Sequence, residues 1–172
     1  FGTQQAHVPQ QEQIQSALAF VGYEKLPDVS APYSLPSGMA VDLGAIGKGF
    51  AAAKLRQSLL KDGVKSAVLS LGGNVTLLGS KPDGSAWTVG LQDPDTDGCF
   101  GYVSARDVSV VTSGGYQRYF EENGTRYWHI LNAKTGWPAD SGLASATVVS
   151  RDDVLADGLS TALFVMGLEK AE

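Results

Sequence analysis

The sequence is poor in the residues that build covalent and metal frameworks. Among 172 residues it carries one cysteine, Cys99, and two histidines. A single thiol excludes an internal disulfide and a cysteine-rich zinc site. Cys99 follows a polar loop with no histidine beside it and reads as incidental. Basic residues are also scarce: 13 Lys and Arg against 18 Asp and Glu give a formal net charge of −5. That balance argues against a nucleic-acid partner, because phosphate backbones are held by a basic footprint. No apolar run reaches the roughly 18 residues of a membrane-spanning helix. No Pro/Ser-rich linker divides the chain either, so one domain over residues 1–172 is expected, long enough for a sizeable core. With 43% hydrophobic and 18% charged residues, wholesale disorder is excluded. Phe1 opens the sequence without an initiator Met or signal peptide, and Gly167 to Glu172 break off just after a helix. A piece of a longer protein is therefore expected.

Glycine is present in excess, with 21 residues, where average composition would supply about 12. It sits in short clusters between apolar runs, where it serves turns and close backbone approach. Ile14, Leu18 and Val21 recur at helical spacing after Pro9 and predict an amphipathic helix stopped by Gly22. Leu26 to Gly38 carries three prolines and reads as loop. Met39 to Leu43 predicts a short strand interrupted by Asp42. Phe50 to Lys61 predicts a helix with Phe50, Leu55 and Leu59 inward and Gly63 as its stop. Strands follow at Ser66–Leu71, Val75–Leu78 and Trp87–Leu91, and within Gly101–Val111. A hairpin is predicted from Tyr116–Phe120 to Arg126–Leu131 across EENG. Ser145–Ser150 alternates as a strand. Val154 to Met166 predicts a helix whose face of Leu155, Leu159, Ala162, Leu163 and Met166 meets the core. Strands outnumber helices and short turns join them, so the expected fold is α+β with a mainly antiparallel sheet.

Five segments could carry chemistry. In VDLGAIGKGF, a strand runs through glycines into a helix, where backbone N–H groups and the helix dipole can hold a phosphate. Lys48 adds a cation, and Asp42, a carboxylate in an apolar strand, needs a partner. The spacing fits neither the P-loop nor the dinucleotide fingerprint. A turn whose glycines only permit tight packing accounts for the same residues. In LADGLSTALF, Asp157, Ser160 and Thr161 share one helix face, and three oxygens there suit a hard cation such as Mg²⁺. The alternative is an Asp favouring the helix dipole, with Ser and Thr bonding back to the backbone. His129, in an apolar aromatic strand, is the side chain best suited to take a proton near neutral pH, although lone strand histidines are more often structural. TSGGYQRYF (Thr112 to Phe120) and LGGN (Leu71 to Asn74) offer small residues past which a ring or phosphate could approach.

VDLGAIGKGFAA, SLGGN, TSGGYQRYF, HILNAKTGWP and ADGLSTALFVMG occur together in this order. The combination resembles the ApbE family of FAD:protein FMN transferases, once described as thiamine-biosynthesis lipoproteins, over nearly the whole chain. The resemblance implies an α+β T-fold lacking the family's N-terminal region. It also implies a bacterial, Mg²⁺-dependent enzyme exported across the inner membrane and usually lipid-anchored, on its periplasmic face. Such enzymes split FAD at its pyrophosphate, attach FMN to a Ser or Thr hydroxyl of an acceptor flavoprotein, and release AMP. Some members hydrolyse FAD to FMN and AMP, and a non-catalytic FAD-binding protein is a further alternative. By position, Asp42 and Lys48 match flavin-nucleotide contacts, and Ser113 and Gly114 match the segment along the cofactor. Ala45 matches a metal-binding carbonyl, Asp157 the metal carboxylate, and Ser160 and Thr161 the helix oxygens beside it. His129 matches the base, with Ile130 beside adenine or ribose. Trp128, Asn132 and Ala133 stand where the family shows a second histidine and Asp-Pro. Gly115, Tyr116, Gln117 and Arg118 stand where it shows Asp-Tyr-Glu-Arg. The implied chemistry needs a neutral imidazole, so activity is expected to rise as His129 loses its proton.

Overall fold

The structure, a computed structural model, describes residues 6–28, 30, 32 and 34–171. Those residues form an α+β fold of eight strands and four α-helices, with every strand pair antiparallel. They divide into two compact units, Leu43–Gly114 with Ser141–Glu172 and Phe1–Asp42 with Gly115–Asp140.

The larger unit is built on a four-stranded sheet of β1 (Ala67–Leu71), β2 (Asn74–Leu78), β5 (Ser109–Gly114) and β8 (Ser145–Ser150), in the order β1-β2-β5-β8. The expected strands are thus present, with β5 running three residues beyond Val111 to Gly114. Gly72 and Gly73, at φ 55° and 94°, make the two-residue turn between β1 and β2 that only glycine adopts without strain. A separate hairpin pairs β3 (Trp87–Gln92) with β4 (Cys99–Ala105). Helix α3 (Asp153–Met166) packs on β5 and β8, and α2 (Gly47–Lys61) packs on α3. Leu77, Val110, Val111, Ala52, Ala156 and Phe164 form the core between them. A short α4 (Leu168–Ala171) follows.

Both helices turn a different face inward from the one their large apolar residues predict. On α2 the buried residues are Gly49 and Ala52, while Phe50 and Leu55 are exposed. On α3 the buried stripe is Asp153, Ala156, Asp157, Ser160 and Phe164, while Leu155, Leu159 and Met166 are exposed. The reason is close approach. A Cβ on Gly49 would lie 2.4 Å from the Asp153 carbonyl oxygen and 2.8 Å from Asp157 Cβ. Small residues set this contact, and polar side chains are buried because they find partners across it. Gly49→Ala is expected to lower unfolding free energy by about 1–3 kcal/mol through overpacking. Gly47→Ala, two residues earlier with open space around it, should leave it unchanged or slightly raised. Guanidinium denaturation of the two variants checks the contrast.

Residues 39–43, expected as a strand, form none; Val41, Asp42 and Leu43 are exposed and run irregularly into α2. At the start of α3 the two adjacent aspartates divide their roles. Asp152 caps the helix, accepting from the N–H groups of Val154 and Leu155. Asp153 is buried and accepts from Arg56 at 2.7 Å and from the Ser109 hydroxyl, which is bonded in turn to Thr76.

In the smaller unit, α1 (Gln11–Leu18) buries Ile14 and ends before Val21. The expected hairpin is present but tighter. Strands β6 (Tyr119–Glu122) and β7 (Thr125–Trp128) are joined by Asn123 and Gly124, at φ 51° and 75°, so the two glutamates belong to the strand. Gly136, at φ 75°, lets α1 lie on the following loop, since a Cβ there would stand 2.4 Å from Ile14 Cγ2.

Candidate functional site

In the larger unit, segments far apart in sequence converge on Asp157. Its side chain is 2% exposed, while that of Lys48 is 42% exposed. A carboxylate so buried must be paired and hydrogen-bonded to stay charged. Oδ1 faces Lys48 Nζ at 3.4 Å. Oδ2 accepts the Gly49 N–H at 2.8 Å. In a regular helix that N–H would point to the carbonyl four residues back, Ala45. Gly49 gives it to Asp157 instead, and Ala45 stays outside the helical ladder, with α2 beginning at Gly47.

Three hydroxyls cluster beside the Asp157 main chain. Ser113 Oγ, near the end of β5, lies 2.9 Å from Ser160 Oγ and 3.1 Å from Thr161 Oγ1. Ser160 and Thr161 also donate back to the Asp157 carbonyl, at 2.9 and 3.4 Å. The back-bonding alternative and the shared helix face are therefore both present. Gly114 closes β5 opposite Ser145. A Cβ on Gly72 would lie 3.8 Å from Lys48 Cδ, so the LGGN turn borders the lysine stem. Asn74, at the end of that turn, is buried, and its amide nitrogen and oxygen have no partner among the described residues.

The side chains gathered here offer hard oxygens: a carboxylate and three hydroxyls. Among the described residues no group of three His, Cys, Asp or Glu could cage a metal. The set suits Mg²⁺, which keeps few protein ligands and completes its shell with water and phosphate oxygens. Asp157 already faces one cation, which shows that its Oδ1 side accommodates positive charge.

Asp42, His129 and Ile130 belong to the smaller unit. Asp42 is exposed, so burial does not impose the partner its sequence context implied. His129 stands one residue past β7, not within a strand, at a bend that continues the hairpin register. Its N–H donates to the Arg118 carbonyl at 3.2 Å, and its Nδ1 lies 3.2 Å from the same oxygen. A carbonyl only accepts, so this bond selects the tautomer protonated at Nδ1 and leaves the lone pair on Nε2. Ile130 is buried and its carbonyl accepts the Ala139 N–H at 2.9 Å.

Two of the unusual positions fit each other. A Cβ at Gly115 would come within 2.8 Å of the Trp128 indole, whose Nε1 donates to Ala139 at 3.2 Å. A residue larger than glycine at 115 would collide with that ring. Asn132 accepts the Lys134 N–H through Oδ1 and so keeps the turn that an aspartate would make there. Burial holds the Tyr116 hydroxyl above the ordinary phenol range.

Sequence reasoning missed Gly49, the Arg56–Asp153 pair and Asn74. The small residues Gly49, Ala52 and Ala53 at i, i+3 and i+4, with Arg56 following on the same face at i+7, were the available signal.

The sequence matches the ApbE family over residues 1–172. It is 38% identical over 188 aligned residues to the FAD:protein FMN transferase of Treponema pallidum (strain Nichols), covering 99% of this chain and 52% of that protein. It is 44% identical over 135 residues to a FAD:protein FMN transferase of Klebsiella pneumoniae (strain 342), covering 77% of this chain and 41% of that one. The crystal structure of the ApbE protein from Thermotoga maritima MSB8 superposes with a TM-score of 0.87 at 37% identity, covering 93% of this chain and 52% of that one. The chain thus spans about half the length of the curated relatives it matches.

Proposed function

The chain belongs to the ApbE family, and on that premise we propose that it forms part of a flavin transferase. In this reading the protein transfers FMN from FAD to a Ser or Thr hydroxyl of an acceptor flavoprotein, with Mg²⁺, and releases AMP. We read residues 1–172 as part of one such domain. We assign its work to the periplasm or the outer face of the inner membrane, with a lipid anchor outside this chain. The observation that carries the reading is the buried Asp157 carboxylate, held by Gly49 and Lys48, with Ser160 and Thr161 bonded to its main-chain carbonyl and Ser113 bonded to both hydroxyls.

The residues divide the work by their chemistry. Lys48, at the positive end of the α2 dipole, attracts the diphosphate of FAD. Asp157, the Ala45 carbonyl and the Ser160 and Thr161 hydroxyls would hold Mg²⁺, which would neutralise charge developing on the pyrophosphate oxygens. Ser113 and Gly114 border the cofactor, and Asp42 and Ile130 contact its nucleotide portion. His129 Nε2 takes the proton of the acceptor hydroxyl. The hydroxyl oxygen forms its bond to the FMN phosphorus, the bond from that phosphorus to the bridging oxygen breaks, and AMP leaves with that oxygen.

The test is incubation with FAD, Mg²⁺ and an acceptor protein bearing a Thr flavinylation site. The expected result is AMP release matched by an FMN mass gain on the acceptor. FMN appearing without acceptor would mark water as the nucleophile, and FAD held without turnover would mark a binding protein. His129→Gln should lower turnover by about 10²–10⁴-fold, the usual contribution of a positioned base, while FAD affinity changes little. Normal turnover in that variant would remove the base assignment.

A further inference from the structure

Lys48 and a divalent cation cannot both use the same face of Asp157. Oδ2 is committed to Gly49, and Oδ1 faces the lysine ammonium. The carboxylate is almost wholly buried, while the lysine side chain is 42% exposed and reaches in from solvent beside the Gly72 turn. One partner is fixed in the protein interior, and the other can swing away. We propose that Lys48 is a tethered counterion that exchanges with the metal. It neutralises Asp157 when no divalent ion is bound, and leaves Oδ1 for the anionic diphosphate when the ion arrives. The inference rests on the reading of Asp157 as a metal ligand.

The arrangement solves a charge problem. A buried carboxylate without a cation would be costly, and a permanent ammonium at Oδ1 would repel the dication. Exchange avoids both, and it couples the two ligands, because the ion frees the ammonium that the anion needs. Such coupling is reciprocal: each ligand raises the affinity for the other.

The experiment uses Mn²⁺ alone, without FAD, followed by electron paramagnetic resonance. Lys48→Met should bind Mn²⁺ about tenfold more tightly than the parent, which corresponds to ~1.4 kcal/mol. Lys48→Arg, which keeps the charge, should not. Asp157→Asn should lose the site. In the unmodified protein, Mg²⁺ should raise the rate of Lys48 acylation by an amine-reactive ester severalfold, read by peptide mass spectrometry. Lysines elsewhere, such as Lys134, serve as controls. If Asp157→Asn binds Mn²⁺ like the parent, the metal reading itself fails. If Asp157→Asn loses the ion but Lys48→Met gains nothing, or Mg²⁺ leaves Lys48 acylation unchanged, the metal site stands and the exchange is overturned.

Discussion

Asp157→Asn is expected to lower flavin transfer by about a thousandfold. The figure follows from the several kcal/mol a catalytic metal contributes, at about 1.36 kcal/mol per tenfold. Asparagine is nearly isosteric and keeps an oxygen for the Gly49 N–H, so the contact between α2 and α3 survives. The negative charge facing Lys48 does not. The loss therefore reports on charge rather than packing, and it should be accompanied by loss of any response to added Mg²⁺. Chromatographic measurement of AMP release over a Mg²⁺ titration reads both effects. A variant with parental turnover and an unchanged Mg²⁺ response would show that the carboxylate holds no ion.

The second large effect concerns stability. Asp153→Ala is expected to cost about 3–5 kcal/mol, because it strands the Arg56 guanidinium in the interior. Arg56 is only 15% exposed and its partner 4%. Breaking the Arg126–Glu121 pair, whose side chains are 54% and 53% exposed, should cost no more than about 1 kcal/mol. Urea denaturation of the two variants tests the difference. Replacing Arg56 by Met together with Asp153 by Leu should recover part of the loss, since Ser109 and Thr76 still bond to each other. Equal destabilisation by the two broken pairs would show that burial does not set their energies.

Much of this architecture can be read from the sequence. Apolar runs and turn residues locate β1, β2 and β8, place β5 only within a longer stretch, and mark the hairpin across EENG. The three longer helices are located with ends displaced by up to three residues, α4 is not foreseen, and the inward faces of α2 and α3 are not read. Hydrophobic periodicity rewards large apolar side chains, so it favours Phe50 and Leu155. The helices instead meet where side chains are smallest, at Gly49 and Ala156. Nor does anything in the pair Asp152–Asp153 reveal which carboxylate is buried, because the partners that make burial tolerable, Arg56 and Ser109, are distant in sequence. The same applies to the site. Lys48, Asp157, Ser160 and Thr161 are visible as chemically apt residues, and Ser113 as a small residue beside them. Their convergence depends on a helix–helix contact that pattern alone does not encode.

The bond from His129 to Arg118 has a consequence for how this imidazole can be perturbed. Its acceptor is main chain, so all twenty residue types at position 118 would present it equally. Point substitution there cannot switch the tautomer. What can do so is strand slippage: an insertion between Asn123 and Gly124 would shift the ladder and bring a different carbonyl, or none, to the ring. The tautomer that this bond selects is thus tied to the register that a two-residue loop sets.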